Sequence, residues 1–209
     1  MTATLIQSPD RVILNHISWQ TYQSLLKDFE QEPAARLTYD HGTLEIRMPL
    51  DPHEGIKKLL GRLIEAATEE LGLEIRSLGS RTCYRQDLAQ GLEPDQCYYI
   101  QNEPLVRGVE QIDLSQYPPP DLAIEIDITS SSLNRFKIYA ALGVPEVWRY
   151  DGSDVHIYHL QENEYRTQPT SACIAELNPS QINHILAQRL TVSENSLIRD
   201  FRQWLRSTQ

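Results

Sequence analysis

The chain has 209 residues, 40% of them hydrophobic, and 29 acidic residues against 19 basic ones give a formal net charge of −10. Without a Pro/Gly/Ser-rich linker or a charge block to divide it, this length predicts a single domain over residues 1–209. The acidic balance weighs against strong non-specific attraction to nucleic acid but leaves nucleic acid open as a substrate, since a local basic lining or a bound divalent cation can reverse the sign at one site.

No apolar run approaches the ~20 residues that span a bilayer. The opening "MTATLIQSPDRVILNH" also lacks the basic-then-apolar order of a signal peptide. A cytoplasmic protein with no membrane partner is therefore expected. Cys83, Cys97 and Cys173 are scattered without a CxxC pair, and read as small apolar residues in a reducing compartment.

In chain order, "SWQTYQSLLKDFEQEP" predicts a short helix capped near Ser18, and "ARLTYDHGTLEIRMP" predicts a hairpin turning at Asp40-His41-Gly42. In "DPHEGIKKLLGRLIEAATEELG", Ile56, Leu59, Leu60, Leu63, Ile64, Ala67 and Leu71 recur at threes and fours, the clearest amphipathic helix in the chain. Asp51 as cap, Pro52 in the first turn and Glu54 completing a capping box mark its start, and Gly72 marks its end. His53 then lies in line with Ile56 and Leu60 and should point inward.

Two strand-like segments follow, "LEIRSLGSRTCYR" and "PDQCYYIQN", separated by the turn-rich "QDLAQGLE". A proline-rich loop leads into "PDLAIEIDIT", then "SSLNRFKIYAALG" predicts a second helix capped by Ser130 to Ser132 and ended by Gly143. "EVWRY" and "DVHIYHLQ" form a further hairpin about Asp151-Gly152, and "SENSLIRDFRQWLRS" a closing helix. Interleaved helices and strands of this kind predict an α/β or α+β fold with a mixed sheet flanked by helices. No GxGxxG or P-loop supports a doubly wound nucleotide fold.

The strand at residues 121–129 places Asp121, Ala123, Glu125, Asp127 and Thr129 on one face and Leu122, Ile124, Ile126 and Ile128 on the other. Three carboxylates on one face, with no basic residue among them, call for a positive partner. A rise of about 3.3 Å per residue puts Glu125 and Asp127 roughly 6.6 Å apart, whereas Asp121 is roughly 13 Å from Glu125. Asp121 therefore reads first as a turn or strand-start residue. A closer partner comes from an adjacent strand, about 4.8 Å away, and Asp95 in "EPDQCYYI" is the candidate. Oxygen-only ligation favours Mg²⁺ or Mn²⁺. Such an ion supplies a Lewis acid and an activated water for phosphodiester hydrolysis.

Pro94-Asp95, Glu125 in "PDLAIEID", a preceding helix opening with His53, and "YAALGVPEVWRYDG" after them resemble the putative restriction-endonuclease family of the PD-(D/E)XK nuclease superfamily. The likeness covers residues 48–152. It implies a restriction-endonuclease-like αβββαβ core, extended here by N-terminal and C-terminal hairpins. It also implies Mg²⁺-dependent cleavage of DNA, Asp95 and Glu125 as metal ligands, His53 near the cluster, and a homodimer. Asp127 stands where the superfamily has the lysine of Glu-x-Lys, and is read either as a further metal ligand or as a solvated strand end.

In this family the lysine often lies instead on the following helix, four residues before the tyrosine matching Tyr139, and that position is Arg135. Arginine stabilises an anion but does not deprotonate to act as a base. Lys137 lies about 160° further round the helix, within the arc of Leu133, Phe136 and Ala140. It is the expected stabiliser of the transition state, with Arg135 as the alternative. The sequence thus supports a metal-dependent endodeoxyribonuclease. The alternative is a catalytically impaired nuclease fold serving as a binding or assembly module.

Overall fold

The computed structural model describes residues 6–8, 11–29, 35–48, 51–127 and 133–208, without the side chains of residues 6–8, 51 and 52. The chain begins with strands β1 (Ile6–Ser8) and β2 (Arg11–Leu14), helix α1 (Trp19–Asp28), and the hairpin β3 (Arg36–Asp40) and β4 (Thr43–Arg47). Helix α2 (Asp51–Leu71) follows, then β5 (Arg76–Gly79), β6 (Cys83–Arg85), β7 (Gln90–Leu92) and β8 (Gln96–Tyr99). After the short α3 (Glu103–Val106) come β9 (Leu122–Ile126), α4 (Arg135–Leu142), β10 (Glu146–Tyr150), β11 (Val155–Gln161) and β12 (Glu164–Gln168). Helices α5 (Pro179–Ala187) and α6 (Glu194–Thr208) complete the described elements.

The strands form two six-stranded sheets, one ordered β1, β2, β4, β3, β7, β6 and the other β12, β11, β10, β9, β8, β5. The second sheet is mixed: β9 runs parallel to β10 and antiparallel to β8. The parallel step is the one that α4 crosses, as a parallel pair requires a crossover rather than a hairpin. Helix α2, strands β5, β8 and β9, helix α4 and strand β10 supply the αβββαβ core. The hairpin β6–β7 is diverted into the other sheet, where β7 pairs with β3. "LEIRSLGSRTCYR" is therefore two strands in two sheets rather than one, and "QGL", read as turn, is β7.

Alternation along β9 splits its side chains between two cores. Leu122, Ile124 and Ile126 pack with Leu60, Leu63, Ile64 and Ala67 of α2 and with Phe201 and Leu205 of α6. Ala123, on the opposite face, packs with Ile138, Tyr139 and Leu142 of α4. Full burial of each large aliphatic side chain contributes about 1.5–3 kcal/mol, so the register that points Glu125 toward α4 is strongly fixed. A one-residue slip would turn the aliphatic row toward the charged side and drive Glu125 into the apolar core.

The first sheet is likewise two-faced. Leu37, Tyr39 and Leu44 pack with Tyr22 of α1, whose N-terminus is capped by Ser18 accepting from Thr21 N at 3.1 Å. The opposite face carries Arg36, Thr38, Glu45 and Arg47 in alternation with that apolar row, and meets α4. Helix α2 begins at Asp51 as expected, though its cap falls on side chains outside the described residues. The proposed Ser130 to Ser132 cap of α4 also lies outside them; the described cap is Asn134, accepting from Lys137 N at 3.2 Å. Gly143 ends α4 at φ +78°, a left-handed conformation that only glycine adopts readily. No described helix is long and apolar enough to cross a membrane.

Candidate active site

Gln96 of β8 pairs with Ile124 of β9, and Asp95 N donates to Ile124 O at 3.1 Å, so the next step of the antiparallel ladder sets Asp95 beside Glu125. Asp95 is wholly buried. Its Oδ2 accepts from Ile126 N at 2.7 Å and lies 3.0 Å from His53 Nε2, while its Oδ1 lies 3.2 Å from Arg47 Nη2. His53 thus points inward from the first turn of α2, as the helix period requires. Burial alone would raise the Asp95 pKa, but the His53 contact and the charges of Arg47, His53 and Arg135 outweigh it and hold it at about 2.

Glu125 Oε1 accepts from Arg135 Nη2 at 2.6 Å and from the Tyr139 hydroxyl, and its Oε2 lies 4.0 Å from Arg47 Nη2. Burial raises the Glu125 pKa; Arg135 opposes and the Asp95 charge adds to it, leaving Glu125 above the ordinary carboxylate range. Arg135 also donates to Thr38 Oγ1 at 2.6 Å and to Glu93 O at 2.8 Å, which ties α4 to both sheets.

The Lys137 assignment is corrected by the geometry. Helix α4 buries Arg135, Ile138, Tyr139 and Leu142, whereas Lys137 is exposed, and the guanidinium beside Glu125 is that of Arg135. Phe136 instead lies edge-on to Tyr158, with ring centroids 4.8 Å apart. The helix has apolar residues nearly all round, so hydrophobic spacing does not define its inner face, and here that face carries the charge.

Asp127 pairs with Arg149 of β10 at 2.6 Å, and its Oδ1 is buried without a hydrogen-bond partner among the described residues. Arg149 lies in register with Glu125 on the parallel strand. Asp121 is structural, accepting from Ile100 N, Asn102 N and Asn102 Nδ2 at 2.7, 2.9 and 2.5 Å. A cleft of about 180 Å³ opens over the cluster, lined by Arg47, Glu125, Asp127, Arg135, Phe136 and Arg149 among others.

The expected ligand set of Asp95, Glu125 and Asp127 is not assembled for a cation. Among the described residues no three His, Cys, Asp or Glu side chains converge to hold a metal ion. Asp95 has both oxygens engaged, Glu125 has one, and Asp127 is drawn aside to Arg149. Arg47 and Arg135 already balance the charge of Asp95 and Glu125. As the side chains stand, these residues do not fit Mg²⁺ or Mn²⁺. The missing positive partner of the acidic face is three arginines: Arg47, Arg135 and Arg149.

Of these, Arg47 and Arg149 are absent from the sequence-derived site. Arg149 had a signal, an arginine set between Trp148 and Tyr150 on a largely buried strand. Arg47 had none, because its approach depends on how the two sheets meet.

A nuclease-fold scaffold holding two acids side by side on adjacent strands, with a basic residue delivered from the crossover helix, is the class that this geometry defines. The model of the Uma2 family, described as "Putative restriction endonuclease", matches residues 19–193, and the chain belongs to that family. The fold is similar to the crystal structure of a putative nuclease belonging to DUF820 from Anabaena variabilis ATCC 29413. That match has a TM-score of 0.52 and 20% identity, and covers 88% of this chain and 97% of the other. No curated protein matches the chain.

Proposed function

We propose that this protein is an endodeoxyribonuclease that acts on the DNA phosphodiester backbone at the cleft above Asp95 and Glu125. The observation that carries this reading is that the two acids meet so closely that one guanidinium nitrogen lies 3.2 Å from Asp95 and 4.0 Å from Glu125.

Within the cleft, Arg135 is a fixed cation. Burial would lower its pKa, but Glu125 and Tyr139 outweigh that and push it up, so it can stabilise charge on a phosphoryl oxygen but not accept a proton. Arg149, with its side chain 37% exposed, is placed to meet the backbone at the rim. Glu125, with its raised proton affinity and an Oε2 that accepts no hydrogen bond from a described residue, is the group suited to take a proton from attacking water.

A specific observation favours a second reading, that of a catalytically impaired binding module. Arginine replaces the usual helix lysine, and both acids are already paired with guanidinium groups. One experiment separates the two: purified protein incubated with supercoiled and linear DNA in Mg²⁺, Mn²⁺ or EDTA, beside Glu125→Ala. Cutting by the native chain that Glu125→Ala abolishes supports the nuclease, and the EDTA arm tells whether a divalent ion takes part. Equal cutting by both proteins indicates a contaminant, and retention of DNA without cutting under any condition favours the binding module. Sedimentation with a duplex tests the homodimer that cutting of both strands calls for.

A further inference from the structure

We infer that Arg47 is a resident counter-ion of the acid pair, occupying the place between Asp95 and Glu125 that a divalent cation would take and competing with that cation for it. The inference goes beyond the nuclease reading and does not depend on cleavage.

Three observations carry it. First, position: Arg47 Nη2 lies 3.2 Å from Asp95 Oδ1, 3.5 Å from Asp95 Oδ2 and 4.0 Å from Glu125 Oε2. A Mg²⁺ ion bridging the pair would need its oxygens at about 2.0–2.1 Å, in space that this nitrogen fills. Second, charge: Asp95 and Glu125 are answered by Arg47 and Arg135, all four side chains being at most 8% exposed. A divalent ion added to that set would leave uncompensated positive charge in a buried site, which is strongly unfavourable. Third, delivery: Arg47 does not belong to the strands that carry the acids. It ends β4 of the other sheet, where pairing with Arg11 on one side and Arg36 on the other fixes its register. The guanidinium is therefore held at the acids by the contact between the sheets, rather than swung in on a loop.

Removing the guanidinium while leaving both carboxylates should create a cation site where the native chain has a poor one. The test is titration of Mn²⁺, followed by the electron paramagnetic resonance of the free ion, into the native chain, Arg47→Met and the double variant Arg47→Met/Glu125→Gln. The expected result is that Arg47→Met binds one Mn²⁺ at least about tenfold more tightly than the native chain, a gap of about 1.4 kcal/mol. The double variant should lose that site. Native binding as tight as that of Arg47→Met, or no gain in Arg47→Met, overturns the inference. If Arg47→Met does not fold, Arg47→Gln keeps an amide donor for Asp95 Oδ1 and gives the same comparison. DNA cutting is not part of the readout, so failure of the nuclease reading and failure of this inference are distinguishable.

Discussion

Replacing Arg135 by methionine removes a side chain that ties the two sheets together at the cluster. Arg135 donates to Thr38 Oγ1 at 2.6 Å, to Glu93 O at 2.8 Å and to Glu125 Oε1 at 2.6 Å, with its side chain 8% exposed. Breaking a buried ion pair by deleting one partner costs about 3–5 kcal/mol, because the other charge is left uncompensated. Here the orphan is Glu125, whose pKa burial already raises with Arg135 present. Without Arg135 it rises further, so Glu125 in the variant takes up a proton more readily.

A carboxylate whose folded pKa is raised contributes stability that is present at low pH and lost as pH rises through the folded value. The deficit of Arg135→Met should therefore grow as pH rises and shrink as it falls, by at most about 1.4 kcal/mol per pH unit. Urea unfolding at a series of pH values, followed by tryptophan fluorescence, measures it directly. Trp148, buried on β10 on the face opposite Glu125, serves as a reporter of unfolding. A deficit below about 1 kcal/mol, or one that is flat with pH, would refute the argument, since a buried unpaired carboxylate must titrate. Adding Glu125→Gln should recover most of the loss, because removing both charges leaves no ion stranded.

Asp95 titrates in the opposite sense. Its folded pKa, held down to about 2 against an ordinary 3.8, corresponds to stability on the order of 2 kcal/mol that is present above the unfolded value and lost as pH falls toward 2. Asp95→Asn should flatten the stability profile between about pH 5 and pH 2 by that order, and an unchanged acid limb would contradict it. Lys137→Ala should shift stability by no more than about 0.5 kcal/mol and leave DNA cutting unaltered; loss of cutting would return Lys137 to the machinery. The single-domain expectation requires circular dichroism and fluorescence to report one coincident unfolding transition, and two separated transitions would divide the chain.

Elements defined by strong local pattern were legible in the sequence. The spacing of Leu60, Leu63, Ile64 and Ala67 marks α2, and alternation from Leu122 to Ile126 marks β9 and the face on which Glu125 stands. Gly143 marks the end of α4, whereas its described cap, Asn134, was not read. The proximity of Asp95 to Glu125 followed from strand spacing once the two segments were read as neighbours. Short elements such as β7, α3 and α5 were not read.

The counter-charges were legible only in part. Arg135 was recognised as a candidate from its place before Tyr139, but not as the residue facing the acid, because a helix with Phe136, Ile138, Ala141 and Leu142 spread around it has no distinct polar face. Arg47 belongs to a different sheet, some 78 residues from Glu125 in sequence, and nothing local to β4 states which side chain its last residue will meet. Local sequence thus determined the strongly patterned elements and the facing of the acids, since these depend on neighbours within a few residues. Only tertiary structure decided that arginine, arriving across the contact between two sheets, balances those acids, because charge neutralisation in a buried site depends on which groups the whole fold brings within a few ångströms.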